Sequence, residues 1–233
     1  MIRLLILLFI FYSPLLYLGS VAEGNKKLPA GYQYISAPEM INDGQSLLKE
    51  GDLVVRLNRD PSSHFIKNFN HHDKSYSHAG IVLFEKGYPY VFHIIDGEEN
   101  PDGKLRMDSL KWFCNSTKNN SYGIFRYEMT REEMKTLKNT VHKLYARSLE
   151  FDNTFDFSTD DKMYCSEMIC KVLNSATRKR ISIEPTPLTS IEAGFFSAYT
   201  HLPFSYAYHL RIISIDALYT NPFCHLVKRY SFN

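Results

Sequence analysis

The sequence lacks a charge bias. Its 27 Lys and Arg stand against 25 Asp and Glu, a formal net charge of +2, so no basic excess marks a dedicated nucleic-acid binder. It lacks a second long apolar run: beyond Leu18 no stretch is apolar enough to span a bilayer. Gly (11) and Pro (10) stay at ordinary levels for 233 residues, which excludes collagen-like and linker-rich chains. No internal repeat or low-complexity segment is visible. Cysteine is scarce, at four residues, and a chain of this length builds a core without depending on disulfides. What is present is a globular balance: 44% hydrophobic, 14% aromatic and 22% charged residues, too apolar for extended disorder.

The one apolar run is N-terminal. Met1-Ile2-Arg3, the segment from Leu4 to Leu18, and then Ser20-Val21-Ala22 have the layout of a secretory signal peptide cleaved after Ala22. No Cys follows the run, which disfavours a lipoprotein anchor. An uncleaved anchor is the alternative, although the run falls short of the ~20 residues that span comfortably. The expectation is a leader over 1–22, a single domain over 23–233, and an exported, periplasmic or extracellular protein that meets a membrane only through an uncleaved leader. In an exported domain Cys114, Cys165, Cys170 and Cys224 permit two disulfides. Cys165 and Cys170 are badly directed for a bridge on one helix, which leaves Cys114–Cys224 as the pairing to test. Asn115-Ser116-Thr117 and Asn119-Asn120-Ser121 are glycosylation sequons, relevant in a eukaryotic secretory pathway.

Residues 23–37 read as a polar lead-in, and Gln45–Lys49 as the close of a short helix before Gly51. Leu53–Leu57 reads as a strand and 58–76 as a loop with a helical turn. His78–Phe84 and Tyr90–Ile95 form a hairpin around Lys86-Gly87. Tyr122–Tyr127 is a further strand. Thr130 with Glu133 makes a capping box, opening a helix that buries Met134, Leu137, Val141, Leu144 and Tyr145 and stops near Ser148. A second helix follows the acidic, aromatic stretch 150–161, with Cys165 in its first turn and Met168, Ile169, Val172 and Leu173 inward. Ile191–Tyr199 reads as a short helix, and Arg211–Tyr219 and Cys224–Tyr230 as late strands. Without regular βαβ alternation the class is α+β, with an antiparallel sheet packed against helices.

Three residues carry chemistry together: His78 at the head of one hairpin strand, His93 on the returning strand, and Cys165 at a helix start. An ordinary thiol has a pKa of ~8.5 and is mostly protonated at neutral pH. The positive end of the helix and a neighbouring imidazolium would favour the thiolate. His78 would accept the thiol proton and return it to a leaving group. His93 is a candidate to orient His78, since facing hairpin strands bring side chains together. The Cys165 N–H would serve as an oxyanion donor. Taken singly, a Cys or His of this kind is more often plain core or surface. His71-His72 reads as a solvated loop pair without a metal-ligand spacing, and Asp152 and Asp156 as capping or loop residues.

The pieces Gly51-Asp52-Leu53-Val54, Ser77-His78-Ala79-Gly80-Ile81-Val82, Tyr122-Gly123-Ile124-Phe125-Arg126, Phe151-Asp152-Asn153-Thr154-Phe155-Asp156 and Tyr164-Cys165-Ser166-Glu167-Met168-Ile169 occur in one order over residues 50–175. In this the sequence resembles the permuted papain-like amidases of the NlpC/P60 superfamily, YiiX/YebB-like group. The resemblance implies a circularly permuted papain-like fold whose His-bearing hairpin precedes its Cys-bearing helix. It implies Cys165 as nucleophile, His78 as base and a third polar position at or near His93. It offers Tyr164 and Glu167 as neighbours of the substrate or oxyanion pocket, Glu167 with a structural role first. No cofactor is expected, and a metal site on Cys165, His78 and His93 is the remotest reading, since zinc accepts both ligand types but the helix-start Cys and the resemblance favour catalysis. The segment from about 180 onward matches nothing in the resemblance and is expected to complete the sheet or wall the cleft.

The expected activity is that of an exported cysteine hydrolase cleaving an amide, with cell-wall peptides as one substrate class, through a thioester acyl-enzyme. Two other readings stay open. One is an acyl-lipid or thioester hydrolase or acyltransferase on the same site, which an apolar tunnel leading to Cys165 would favour. The other is a non-catalytic binding domain that retained the fold.

Overall fold

The sheet is built outward from a strand with no exposed face. In the computed structural model, which describes residues 35–232, β1 (Leu53–Asn58) is buried along its whole length. It pairs antiparallel with β2 (His78–Glu85) on one side and β5 (Asn119–Tyr127) on the other. β3 (Tyr88–His93) and β4 (Arg106–Asp108) extend one flank, and β8 (Cys224–Ser231) closes the other, giving the order β4-β3-β2-β1-β5-β8. Every pairing is antiparallel, as the α+β reading requires. The expected leader and the first part of the lead-in lie outside the described residues.

Alternation along these strands sorts the core into two layers. Leu53, Val55, Ile81, Leu83 and Phe92 pack with Leu137 and Val141 of α4 (Arg131–Ala146) and with Met168, Ile169 and Leu173 of α5 (Cys165–Ala176). Val54, Val82, Val91 and Ile124 pack with Ile41 of α1 (Ala37–Leu47) and with Leu110 and Phe113 of α3 (Leu110–Phe113). α1 begins inside the expected lead-in. Ser36, ahead of it, and Glu39, in its first turn, form a capping box that starts the helix there. Between β1 and β2 the chain makes α2 (Pro61–Ile66) and a 3-10 turn at Lys67–Phe69.

Two sequence pieces far apart in the chain meet inside this frame. Asp52, fully buried, accepts two hydrogen bonds from Arg126, at 2.7 and 2.8 Å, and a third from the Lys49 N–H at 2.7 Å. Saturating both oxygens is what allows a carboxylate to sit in the core. The C-terminal third does both things expected of it. β8 completes the sheet, while α6 (Ser190–Thr200), α7 (Phe204–Ala207) and α8 (Ile215–Tyr219) pack beyond α5, with β6 (Thr186–Pro187) and β7 (Arg211–Ile212) forming a two-stranded ribbon.

Three expectations are corrected. Arg211–Tyr219 is not one strand: it leaves the extended state after Ile212 and turns into α8, because Asp216 is recruited into a buried polar cluster at that helix. Tyr145 is not in the buried stripe of α4; it sits at the margin, 41% exposed, with its ring edge-on to Phe92. Cys114 and Cys224 do not pair. All four cysteines are free thiols, and Cys114 packs in one core layer while Cys224 borders the other. The second sequon is structural: Asn119 is fully buried and its amide donates to the Asn115 carbonyl at 2.8 Å.

The hairpin register rests on one missing side chain. Ile81 faces Phe92, so the ladder sets Gly80 opposite His93, and a Cβ at Gly80 would collide with Val91 and stand 3.0 Å from His93 Cβ and 3.1 Å from the Phe92 carbonyl. Gly80→Ala should therefore cost about 1–3 kcal/mol of stability. Gly194→Ala, on α6 with open space around it, should be neutral or stabilising by up to ~1 kcal/mol. Urea unfolding of the two variants checks the contrast; equal stability in both would show that close approach at Gly80 is not a constraint.

Candidate active site

The start of α5 is pinned from outside the helix. Ser166 Oγ donates to the Ile213 carbonyl at 2.7 Å, and the Ile213 N–H donates to Tyr164 Oη at 2.9 Å. Both hydrogen bonds are buried and tie residues 164–166 to the strap between β7 and α8. Glu167 reaches back to accept the Tyr164 N–H at 3.2 Å, half of a capping box, and pairs with Lys171 at 2.9 Å. The helix begins at Cys165 itself, while 150–164 is largely loop. There Asp152 accepts from Thr154 and from the Asp156 N–H, the loop-shaping role expected of it.

The strap is held in turn by buried polar groups. Asp216 accepts the backbone N–H groups of His71, His72 and Asp73 at 2.9, 2.5 and 3.2 Å. Asn70 accepts from Ile215 and donates to the Tyr76 carbonyl. The His71-His72 pair thus contributes its backbone here.

Between the strap, α6, the loop around α2 and the loop after β3 lies a cleft of 1140 Å³. Cys165, Tyr164, Ser166 and His78 line it. One wall is apolar, with Phe69, Phe155, Phe196 and Ile213; the other is polar, with Asp96, Glu98, Glu99 and Lys118. The structure therefore brings Cys165 and His78 to one cavity, with Tyr164 between α5 and the strap. Glu167 does not line it.

His78 and His93 do meet, through the diagonal of the hairpin rather than face to face. His78 Nε2 lies 3.0 Å from His93 Nδ1, a reach that the vacant Gly80 position opens. His93 Nε2 lies 3.0 Å from Asp108 Oδ2. Both rings are buried and pack against Phe113, His78 tilted and His93 edge-on. Each also faces a cation across a ladder: Arg56 pairs with His78 and Arg106 with His93. Arg56, itself buried, donates to the Phe113 carbonyl at 2.6 Å and to Glu99 at 2.5 Å. Asp108 and Arg106 were not legible as site residues, since a three-residue edge strand has no periodicity to read; Arg56, on β1, and Glu99, in a loop, gave no signal that they meet there.

These surroundings fix the charges. Burial, reinforced by Arg56 and by its partner ring, holds His78 well below the ordinary imidazole range. Burial holds His93 down as well, against the opposing pull of Asp108. At Cys165 burial outweighs the Ala79, Ser166 and Cys165 backbone groups that favour a thiolate, and pushes the thiol up to about 11. With His78 held down and Cys165 pushed up, the surroundings favour the neutral thiol and imidazole over a standing thiolate–imidazolium pair, because desolvation opposes both charges. No hydrogen bond joins Cys165 Sγ to His78 among the described residues. Burial also raises Glu167 to about 7, opposed by Lys171.

Stability should follow these shifts. The folded state resists protonating His78 and His93, so their contribution is complete above the unfolded imidazole pKa and is lost as pH falls below ~6.5, by up to ~1.4 kcal/mol per pH unit for each ring. Glu167 has the opposite sign, gaining its proton in the folded state as pH falls through about 7. The net fall between pH 6.5 and 5 should thus be about one ring's worth. Glu167→Gln, which keeps the cap and removes the offset, should steepen it. Denaturant midpoints at pH 7.5, 6 and 5 test this; stability that is flat across the window in both proteins would contradict neutral rings.

Residues 47–193 match the family described as permuted papain-like amidase enzyme, YaeF/YiiX, C92 family. The chain is 28% identical over 133 residues to YiiX of Escherichia coli (strain K12), itself uncharacterised, in an alignment covering 56% of this chain and 60% of that one. The chain thus spans about 60% of the length of that curated relative. Among solved structures it is similar to one described as the metalloprotein YiiX from Escherichia coli O157:H7, DUF1105, with a TM-score of 0.63 at 20% identity, covering 78% of this chain and 98% of that one. That likeness is one of fold. Among the described residues no group of three His, Cys, Asp or Glu is placed to hold a metal ion; His78 Nε2 and His93 Nδ1 are spent on each other and His93 Nε2 on Asp108. The residues here do not fit a metal. The family match covers more than half of the chain, and the His-bearing hairpin precedes the Cys-bearing helix, so the chain belongs to the YaeF/YiiX (C92) family of permuted papain-like amidases.

Proposed function

We propose that the protein is a cysteine hydrolase in which Cys165 is the nucleophile, His78 the general base and His93 the group that orients His78. The observation that carries this reading is the shared cleft: a thiol at the first position of α5 and an imidazole at the head of β2 line one cavity, and a second ring holds that imidazole by its Nε2. With both partners neutral at rest, the thiol proton moves to His78 as sulfur attacks the carbonyl carbon. The resulting imidazolium returns the proton to the leaving amine as the C–N bond breaks. Water, deprotonated by the same ring, then attacks the thioester; the carbon–sulfur bond breaks, a carboxylic acid leaves, and the ring returns its proton to the Cys165 sulfur. In this reading the N–H groups at the start of α5 serve the oxyanion, and Tyr164 shapes that wall.

An amide is the bond this reading assigns, in a small peptide or cell-wall fragment. The apolar run over 1–22 supports action outside the cytoplasm. A second reading draws on the wall formed by Phe69, Phe155 and Phe196, which suits an acyl chain better than a polar peptide and favours a lipid or thioester substrate.

Acyl-enzyme trapping distinguishes these. The protein is incubated with p-nitroanilides and p-nitrophenyl esters of acetyl to decanoyl groups and with wall-derived peptides, and adducts are mapped by peptide mass spectrometry. A hydroxylamine-sensitive adduct on Cys165, absent in Cys165→Ala and slowed at least ~10³-fold in His78→Ala, is expected. Faster acylation with chain length would select the lipid reading. No adduct with any reagent, or equal rates with and without His78, would leave a binding domain.

A further inference from the structure

The hydrogen-bond chain does not stop at the third residue. Asp108 lies on the short edge strand β4, where it pairs with Val91. Its Oδ2 accepts from His93 Nε2 at 3.0 Å and from Arg106 Nε at 3.0 Å, and its Oδ1 accepts from Arg106 Nη2 at 3.1 Å. Arg106 is anchored at its other end by the Glu99 carbonyl, at 2.8 Å. The guanidinium fork keeps Asp108 ionised and stationary.

We propose that Asp108, clamped by Arg106, is a positioning residue that sets which nitrogen of His78 is free to act as base. This rests on the cysteine-hydrolase reading above. The argument is a proton count. An ionised carboxylate only accepts, so His93 carries its hydrogen on Nε2. A neutral ring has one N–H, so His93 Nδ1 presents a lone pair. His78 Nε2, 3.0 Å away, therefore donates. His78 is neutral too, so its remaining nitrogen, Nδ1, is unprotonated, and among the described residues it has no hydrogen-bond partner. That bare nitrogen belongs to the ring lining the cleft with Cys165. One carboxylate at the sheet edge thus fixes the tautomers of two rings.

Without Asp108 the chain can run in reverse. His93 would donate from Nδ1, His78 would accept on Nε2, and His78 Nδ1 would carry a hydrogen. In that state the ring cannot take the thiol proton. The alternative of charging one ring is opposed by Arg56 and Arg106, each across a ladder from a histidine, with Glu99 spent on Arg56 and the Glu99 carbonyl on Arg106. Replacing the orienting carboxylate of a Ser-His-Asp triad by an amide costs about 10⁴ in turnover through the same tautomer error.

The test reads the rings directly. Two-dimensional ¹H–¹⁵N spectra of the imidazoles in the histidine-labelled full chain at pH 7.5 are assigned with His78→Gln and His93→Gln. The expected pattern has both rings protonated on Nε2. Asp108→Leu, of similar shape without an acceptor, should reverse it. Asp108→Asn, whose amide meets His93 in either sense, should give a mixture. On a substrate from the acylation panel kcat should fall about 10²-fold or more in Asp108→Leu and less in Asp108→Asn, with KM within about twofold. Denaturant midpoints report whether each variant is folded, and Asp108→Asn stands in should Asp108→Leu not fold. A wild-type His78 with its hydrogen on Nδ1, or rings unchanged in both variants, would overturn the proposal. The two readings fail separately: ring protonation is read without substrate, whereas a missing acyl adduct refutes the hydrolase whatever the rings do.

Discussion

Ile213 holds the site together. Its carbonyl and N–H are both committed to residues flanking Cys165, one through Ser166 and one through Tyr164. A helix start has backbone donors to satisfy and frays unless something fixes it. Here the fixing comes partly from the Glu167 cap and partly from a strap that is itself locked by Asn70 and Asp216. The position of the thiol is therefore set by tertiary hydrogen bonds. The strap and the turn after α2 also carry Ile213 and Phe69, which with Phe196 of α6 line the apolar wall of the cleft.

The second constraint is electrical. Placing two imidazoles in a dry layer beside two arginines leaves neither ring able to hold a proton cheaply. That arrangement suits a base that is empty at rest and filled only as bond-making proceeds. It also explains why the carboxylate at the far end of the chain is ionised and shared with Arg106: it offers an acceptor without forcing either ring to charge.

Much of this was legible in the sequence. The alternation in β2 and β3, the capping box at Thr130 and the apolar face from Met168 to Leu173 gave the hairpin and both central helices, and the permuted order put His78 and Cys165 in one site. What could not be read has physical reasons. The register of His93 against Gly80 depends on a close approach that no hydrophobic pattern encodes. The turn after Ile212 is dictated by Asp216 meeting backbone some 140 residues earlier. The thiol's protonation depends on how much water the strap excludes, and a helix-start position alone indicates the opposite sign. β4 is three residues long, too short for any period, and it carries Asp108.

The dependence of Cys165 on Ile213 also orders events during synthesis. Ile213 follows Ser166, whose hydroxyl it grips, by 47 residues, and β8, the strand that closes one sheet edge, comes later still. A chain emerging from the ribosome can thus fold its hairpin and its central helices while the cleft remains unwalled. Cleavage competence, on the hydrolase reading, arrives only with the strap, and a chain stopped before it would carry both residues of the dyad without a site to hold them.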